Sequence, residues 1–201
     1  MDLPDDLSLP LERGAPWWYW LAGRPALDFV NTRRERWWRN VETLVTGEDL
    51  AEWLVQAGLL AGSPPVEAEL LSSARALREA IGLAVDAVLD RASPSRGALS
   101  TIEGWLPEAL VPDRLLVPEG WRPVLTPGAP SHPARYALGL LARDAAEMLG
   151  TDQRERIRVC ASGTCSARFY DRSRGGQRRW CSMQACGNVA KARRHRARHA
   201  E

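Results

Sequence analysis

The 201-residue chain has only four cysteines and three histidines, and no apolar run in it approaches the ~18 residues a membrane-spanning helix needs. Its first residues, Met1-Asp2-Leu3-Pro4-Asp5-Asp6, are acidic and lack the basic start and apolar stretch of a secretory leader. A cytoplasmic location is therefore expected, and with it reduced thiols rather than disulfides. There is no Cys-x-x-Cys, so no redox dithiol. No nucleophile elbow is present, and no glycine-rich phosphate loop precedes a helix. His132 stands alone beside Pro133, and the spacing of the carboxylates singles out no pair. With no catalytic set visible, the chain reads as a non-enzyme. Internal repeats and low-complexity tracts are also missing.

The cysteines that are present are ordered. Cys160/Cys165 and Cys181/Cys186 form two Cys-x4-Cys pairs separated by 15 residues. Each pair can close a turn that aims two thiolates at one point, and the intervening loop can bring the pairs together around a tetrahedral ion. Four cysteines leave no open coordination position, so the expectation is one structural Zn2+ held by Cys160, Cys165, Cys181 and Cys186. Two disulfides compete with this reading but need an oxidising compartment. A two-cysteine, two-histidine finger from Cys181, Cys186, His195 and His199 has a Cys-to-His gap of eight residues, against about twelve in the usual finger. It would also strand Cys160 and Cys165.

The overall charge of +2 conceals polarisation. From Thr151 onward 13 basic residues face 4 acidic ones, a balance of +9, which leaves −7 for residues 1–150. A basic patch of this density is the usual electrostatic footprint of phosphate-backbone binding, although arginine-rich surfaces also serve solubility. On a helical wheel through Val189–Ala200, Lys191, Arg194 and Arg198 share one face, with His195 and His199 nearby. Val189, Ala192, Arg193, Arg196 and Ala200 share the opposite face. Arg168, Arg172, Arg174, Arg178 and Arg179 form a second cluster between the cysteine pairs. Ile157-Arg158-Val159 reads as a short strand and Phe169-Tyr170 as a second strand or a packing ridge, while Trp180 could cover the thiolates, the favoured role, or stack on a base.

The preceding 150 residues are long enough to bury a core. Thr46-Gly47-Glu48-Asp49 has the form of a capping box, followed by the apolar face Leu50, Trp53, Leu54, Ala57 and a terminating Gly58. Leu70, Ala74, Leu77, Ile81, Ala84 and Val88 predict a helix over 66–91. Leu138, Leu141, Ala145 and Met148 predict another that ends at Gly150. The runs 114–117 and 122–125 suggest a small hairpin. The chain is thus expected to be mainly α. A helical N-terminal domain with a small β-hairpin covers residues 1–152. A small C-terminal α+β four-cysteine zinc-finger module, ending in a basic helix, covers 153–201. Eight tryptophans (Trp17, Trp18, Trp20, Trp37, Trp38, Trp53, Trp105 and Trp121) precede the module and are read chiefly as packing residues. Those near Asp28, Asn31 and Arg34 could instead line a small-molecule site.

The stretch from Arg156 to Cys160 and on through Arg179-Trp180-Cys181-Ser182-Met183-Gln184-Ala185-Cys186-Gly187-Asn188 resembles the CGNR zinc finger of bacterial proteins. Ala190-Lys191-Ala192-Arg193-Arg194-His195-Arg196 continues the likeness. Leu27-Asp28-Phe29-Val30-Asn31-Thr32 resembles the opening motif of the ABATE domain, the usual partner of that finger. Asp49-Leu50, Trp53-Leu54 and Ala57-Gly58-Leu59-Leu60 fit the same domain. Valine follows Cys186-Gly187-Asn188 where the family name has arginine. The resemblance implies a stress-linked transcription regulator, with a finger that binds double-stranded DNA and an ABATE part that senses a small-molecule effector. On this expectation Arg172, Arg174, Arg178, Arg179, Lys191, Arg194 and Arg198 meet nucleic acid, no membrane is involved, and the helical domain could form a homodimer. An RNA-binding protein or a zinc-stabilised protein-interaction module remains the alternative.

Overall fold

The computed structural model of the chain describes residues 18–198; Trp17, His199 and Ala200 lie outside the described residues. Helix α1 (Pro25–Val30) opens the fold, with proline fixing the first turn. The arginine before it has no capping side chain. Asp144, far along the sequence, accepts from the Ala26 N–H at 2.9 Å and pairs with Arg24 at 2.9 Å. Five of the six α1 residues are buried, so packing rather than length stabilises this helix.

A two-residue ribbon, β1 (Arg33–Arg34) with β2 (Val41–Glu42), leads to α2 (Gly47–Gln56). The expected capping box is formed. Thr46 Oγ1 accepts from the Asp49 N–H at 3.2 Å, and the Asp49 carboxylate accepts from the Thr46 N–H at 2.7 Å. Gly58, just past the C-cap, takes φ +72°, the left-handed conformation that glycine permits.

Helix α3 (Ala68–Leu89) follows the predicted stripe with its ends drawn in by two residues each. Leu71 and Val85 are buried, whereas the expected Leu70 and Val88 are only half-buried, because the face turned inward is rotated slightly from the one the pattern suggested. The same face buries Arg78, which forks onto Glu42 with two bonds of 2.6 Å. A charge this deep is tolerated because it is fully paired.

Helix α4 (Arg96–Trp105) was not anticipated, although Ser95 caps it by accepting from the Ala98 N–H at 3.2 Å. A 3-10 turn (Leu106–Ala109) then lies against α5 (Pro133–Gly150), so closely that a Cβ on Gly139 would meet the Ala109 nitrogen at 2.5 Å. The expected hairpin is present as β3 (Arg114–Leu116) and β4 (Val124–Thr126), antiparallel, with Leu115 opposite Leu125.

The core lies where α1, α2, α3 and α5 converge around Trp53. Its ring is 5.2 Å from Phe29 and 5.5 Å from Trp20, centroid to centroid. Packing is the role of Trp18 and Trp53, both buried. Trp20, Trp37, Trp38 and Trp121 are exposed, so core packing is not the role of every tryptophan, although Trp20 still stacks on Trp53.

The C-terminal part forms the two short strands read from the sequence, β5 (Ile157–Val159) paired antiparallel with β6 (Arg168–Tyr170). A π-helical turn (Met183–Gly187) then leads directly into α6 (Asn188–Arg198). Asn188 is the first residue of this helix. Ile157, Cys160, Phe169 and Cys181 belong to the same apolar cluster as the helical core, so the two parts share one interior.

Candidate metal centre and its basic surround

The ribbon β5–β6 places Cys160 immediately after one strand. Its backbone is held by the Ala167 carbonyl at 2.9 Å, and Cys165 closes a turn onto the Ser162 carbonyl at 3.1 Å. The second pair is closed by the π turn. Cys186 and Gly187 both donate their N–H groups to the Ser182 carbonyl, at 3.1 and 3.0 Å. Ala161 N–H donates to the Arg179 carbonyl at 2.7 Å and binds the two knuckles side by side.

The four sulfurs consequently fall within 4.8 Å of one another. Cys165 Sγ lies 3.8 Å and Cys186 Sγ 3.7 Å from Cys181 Sγ. A tetrahedron with Zn–S legs of ~2.3 Å has edges of about 3.8 Å, so these separations suit a shared ion. They are far too long for S–S bonds of ~2.05 Å, and all four cysteines are free. Crowding splits their acidities. Hydrogen bonding with Cys165 pulls the Cys160 thiol far down, and the same contact pushes Cys165 up. Four neighbouring thiolates need a cation to coexist, and the donor set, burial and geometry here fit one structural zinc ion.

The loop between the pairs is built around Asp171. Its buried carboxylate accepts from the Ser173 and Arg178 N–H groups at 2.9 and 2.8 Å, an Asx-type bridge across the loop. Arg156 donates to the Ser173 carbonyl at 2.9 Å and Arg158 to the Gly176 carbonyl at 3.0 Å, fixing the loop on the strand that precedes it. The Tyr170-Asp171-Arg172-Ser173 turn chemistry was a signal for this scaffold, though sequence reading assigned Asp171 no role.

The ABATE family model, described as a "putative stress-induced transcription regulator", matches residues 23–152. The chain belongs to the ABATE family. A CGNR zinc finger matches residues 156–199. No curated relative matches significantly. Both matched families are of regulator or zinc-finger type, and among the described residues no helix is long and apolar enough to cross a membrane.

The ABATE motif Leu27–Thr32 comprises the last four residues of α1, its C-cap Asn31 and Thr32, and it grips the finger. Asn31 Nδ2 donates to the Arg168 carbonyl at 2.9 Å while its Oδ1 accepts from the Arg168 N–H at 2.9 Å. Tyr170 N–H donates to the Ala22 carbonyl at 2.7 Å. Arg168 forks onto Asp86 of α3 at 2.9 and 2.6 Å and lies over the Trp37 ring. This buried arginine therefore leaves the expected cationic surface and ties β6 to α3. No sequence pattern pairs Asp86 with Arg168, since 82 residues separate them.

The three residues read as a possible ligand site also have scaffold work. Asp28 is buried and accepts from the Ala22 N–H at 2.9 Å. Asn31 is occupied by Arg168, and Arg34 donates to the Tyr19 hydroxyl at 2.7 Å with its guanidinium 4.0 Å from that ring's centre.

Among the seven basic residues read as nucleic-acid contacts, Arg174 and Arg179 are exposed on the loop, and Lys191 is exposed on α6. Arg172 is exposed but donates to the Gly23 carbonyl. Arg178 is half-buried over the Phe169 ring and donates to the Cys181 carbonyl at 2.6 Å, so it braces the knuckle. Arg194 and Arg198 lie on α6. Phe169 is fully buried and Trp180 half-buried. Val189, which replaces the arginine of the finger's name, is half-buried, a setting that suits an aliphatic side chain.

Proposed function

We propose that this ABATE protein is a zinc-dependent, DNA-binding transcription regulator. Residues 153–201 would meet the duplex, and residues 1–152 would supply dimerisation, effector sensing, or both. The observation that carries the reading is the direct passage from the last cysteine through the π turn into α6. Cys160, Cys165, Cys181 and Cys186 would hold the ion, and whatever fixes Cys186 also fixes the direction in which the basic helix leaves the core. A rigid basic element loses less conformational entropy on meeting phosphates than a mobile tail would.

On this reading Lys191, Arg194 and Arg198 provide the helix contacts, and Arg174 and Arg179 reach the flanking backbone, with Arg172 and Arg178 holding the loop in shape. Reduced thiols suit a cytoplasmic setting. The RNA alternative is disfavoured by the burial of Phe169 and partial burial of Trp180, because base stacking needs an open aromatic face.

The test is an anisotropy titration of zinc-loaded protein with duplex DNA and single-stranded RNA at several salt concentrations. Duplex binding that weakens with salt is expected, and the triple change Lys191→Glu/Arg194→Glu/Arg198→Glu should abolish it while leaving zinc content intact. Replacing any one of these cations by alanine should flatten the log–log salt slope by about 0.9 for each phosphate it neutralises. Equal binding by the triple variant, or no duplex binding at low salt, would refute the reading. Selection from a random duplex pool would then identify the operator.

A further inference from the structure

The β3–β4 hairpin stands out from the rest of the surface. Trp121 is 80% exposed, Leu115 69% and Leu125 65%, with Leu116, Val117 and Val124 also open to solvent. Leu115 and Leu125 are cross-strand partners on one face, and Leu116 and Val124 are partners on the other, so neither face is packed against the body. A lone two-stranded ribbon is marginal in water, and an apolar cluster of this kind is not a scatter of single residues. Something is expected to cover it.

We propose that a second copy of this chain covers it, through a two-fold contact in which β3 pairs with β3 of the partner. The charges favour this occupant. The hairpin and its approach hold Asp113, Arg114, Glu119 and Arg122, two of each sign, in a molecule whose N-terminal 150 residues carry −7 and whose remainder carries +9. A strongly charged partner has no complement here, whereas a neutral surface with both signs matches itself, as an isologous interface requires.

The edges are also unequal. Pro123 and Pro127 directly flank β4 and leave three consecutive N–H groups, whereas β3 lies within five, residues 113–117, between Pro112 and Pro118. Proline blunts one edge, and the other keeps its pairing capacity. Pairing across β3 would give a four-stranded antiparallel sheet with its apolar side chains gathered around the axis. Trp121, beneath the Arg122 guanidinium at 5.2 Å, would be the anchor of the contact.

This inference rests on the dimerisation role proposed above for the helical domain and is independent of DNA binding. Sedimentation equilibrium of the full zinc-loaded chain across the micromolar range should give twice 22.3 kDa. Leu115→Asp and, separately, Leu125→Asp should weaken self-association at least tenfold. Because both positions are exposed, zinc content and circular dichroism should not change. A wild-type monomer throughout, or two variants that dimerise as tightly as wild type, would overturn the proposal. Duplex binding is read separately: a monomer that binds duplex sinks only the dimer, and a dimer that binds none sinks only the regulator reading.

Discussion

Replacing Asn31 by alanine probes how firmly the ABATE helices and the finger are joined. The amide of Asn31 makes two bonds of 2.9 Å, one to the Arg168 carbonyl and one from the Arg168 N–H. Alanine removes both and strands a backbone donor and acceptor on a buried residue. Each unsatisfied group costs about 1–3 kcal/mol. Partial access of water lowers the sum, so a loss of about 2–4 kcal/mol is expected. That is a large fraction of the ~5–15 kcal/mol by which a typical fold is stable. For a chain of this size it corresponds to a fall in Tm of about 5–15 °C.

Thermal unfolding of zinc-loaded protein, followed by calorimetry and circular dichroism, measures the shift. Chelator competition measures zinc release from the same sample. Wild type should unfold in one transition, and Asn31→Ala should lower it and speed zinc loss, because the strand that carries Arg168 also positions the first cysteine pair. A shift under about 1 °C, or two separate transitions in wild type, would refute the shared-core argument.

Four other expectations follow from the structure. Cys160→Ser should reduce bound zinc, measured by mass spectrometry of the metal, and leave α6 unanchored. Chelation of wild type should also lower hydrogen-exchange protection in α3 and α5, since Cys160 and Cys181 belong to the same apolar cluster as those helices; unchanged protection there would sink the idea. Burial pushes the Asp28 carboxyl up to about 6, with the Ala22 and Leu21 amides pulling the other way and Asp144 adding to the rise. The folded state then holds that proton more tightly than the unfolded chain does, so its contribution to stability falls as pH climbs from about 4 to 6 and stays lost above, by up to about 3 kcal/mol. Asp28→Asn, whose amide oxygen can still accept from Ala22, should therefore gain about 2 kcal/mol on wild type at pH 8 and less at pH 5, read as the difference in urea midpoints. Gly139→Ala should cost about 1–3 kcal/mol by forcing α5 off the 3-10 turn, because the new methyl meets backbone and not a side chain that can move aside.

Local signals were enough wherever the determinant is local. Thr46 and Asp49 specify a capping box within four residues, the α3 stripe repeats over several turns, and each Cys-x4-Cys pair closes its own turn. The sequence alone therefore determined the helical character, the β3–β4 hairpin, the four clustered thiols and the two family motifs. It did not reveal α4, whose ten residues include two glycines and bury only Ala98 and Ile102, leaving little periodicity to read. Nor did it reveal α1, a helix held by burial and by Asp144.

Only the tertiary structure decided which arginines remain available. Arg168 and Arg174 look alike in sequence, yet one is buried against Asp86 and the other faces solvent. Asn31 likewise clamps the finger through a partner 137 residues away. Composition and spacing govern what a segment can form, but the partner of a charge or an amide is set by long-range packing, and desolvation determines whether that group holds the fold together or meets another molecule.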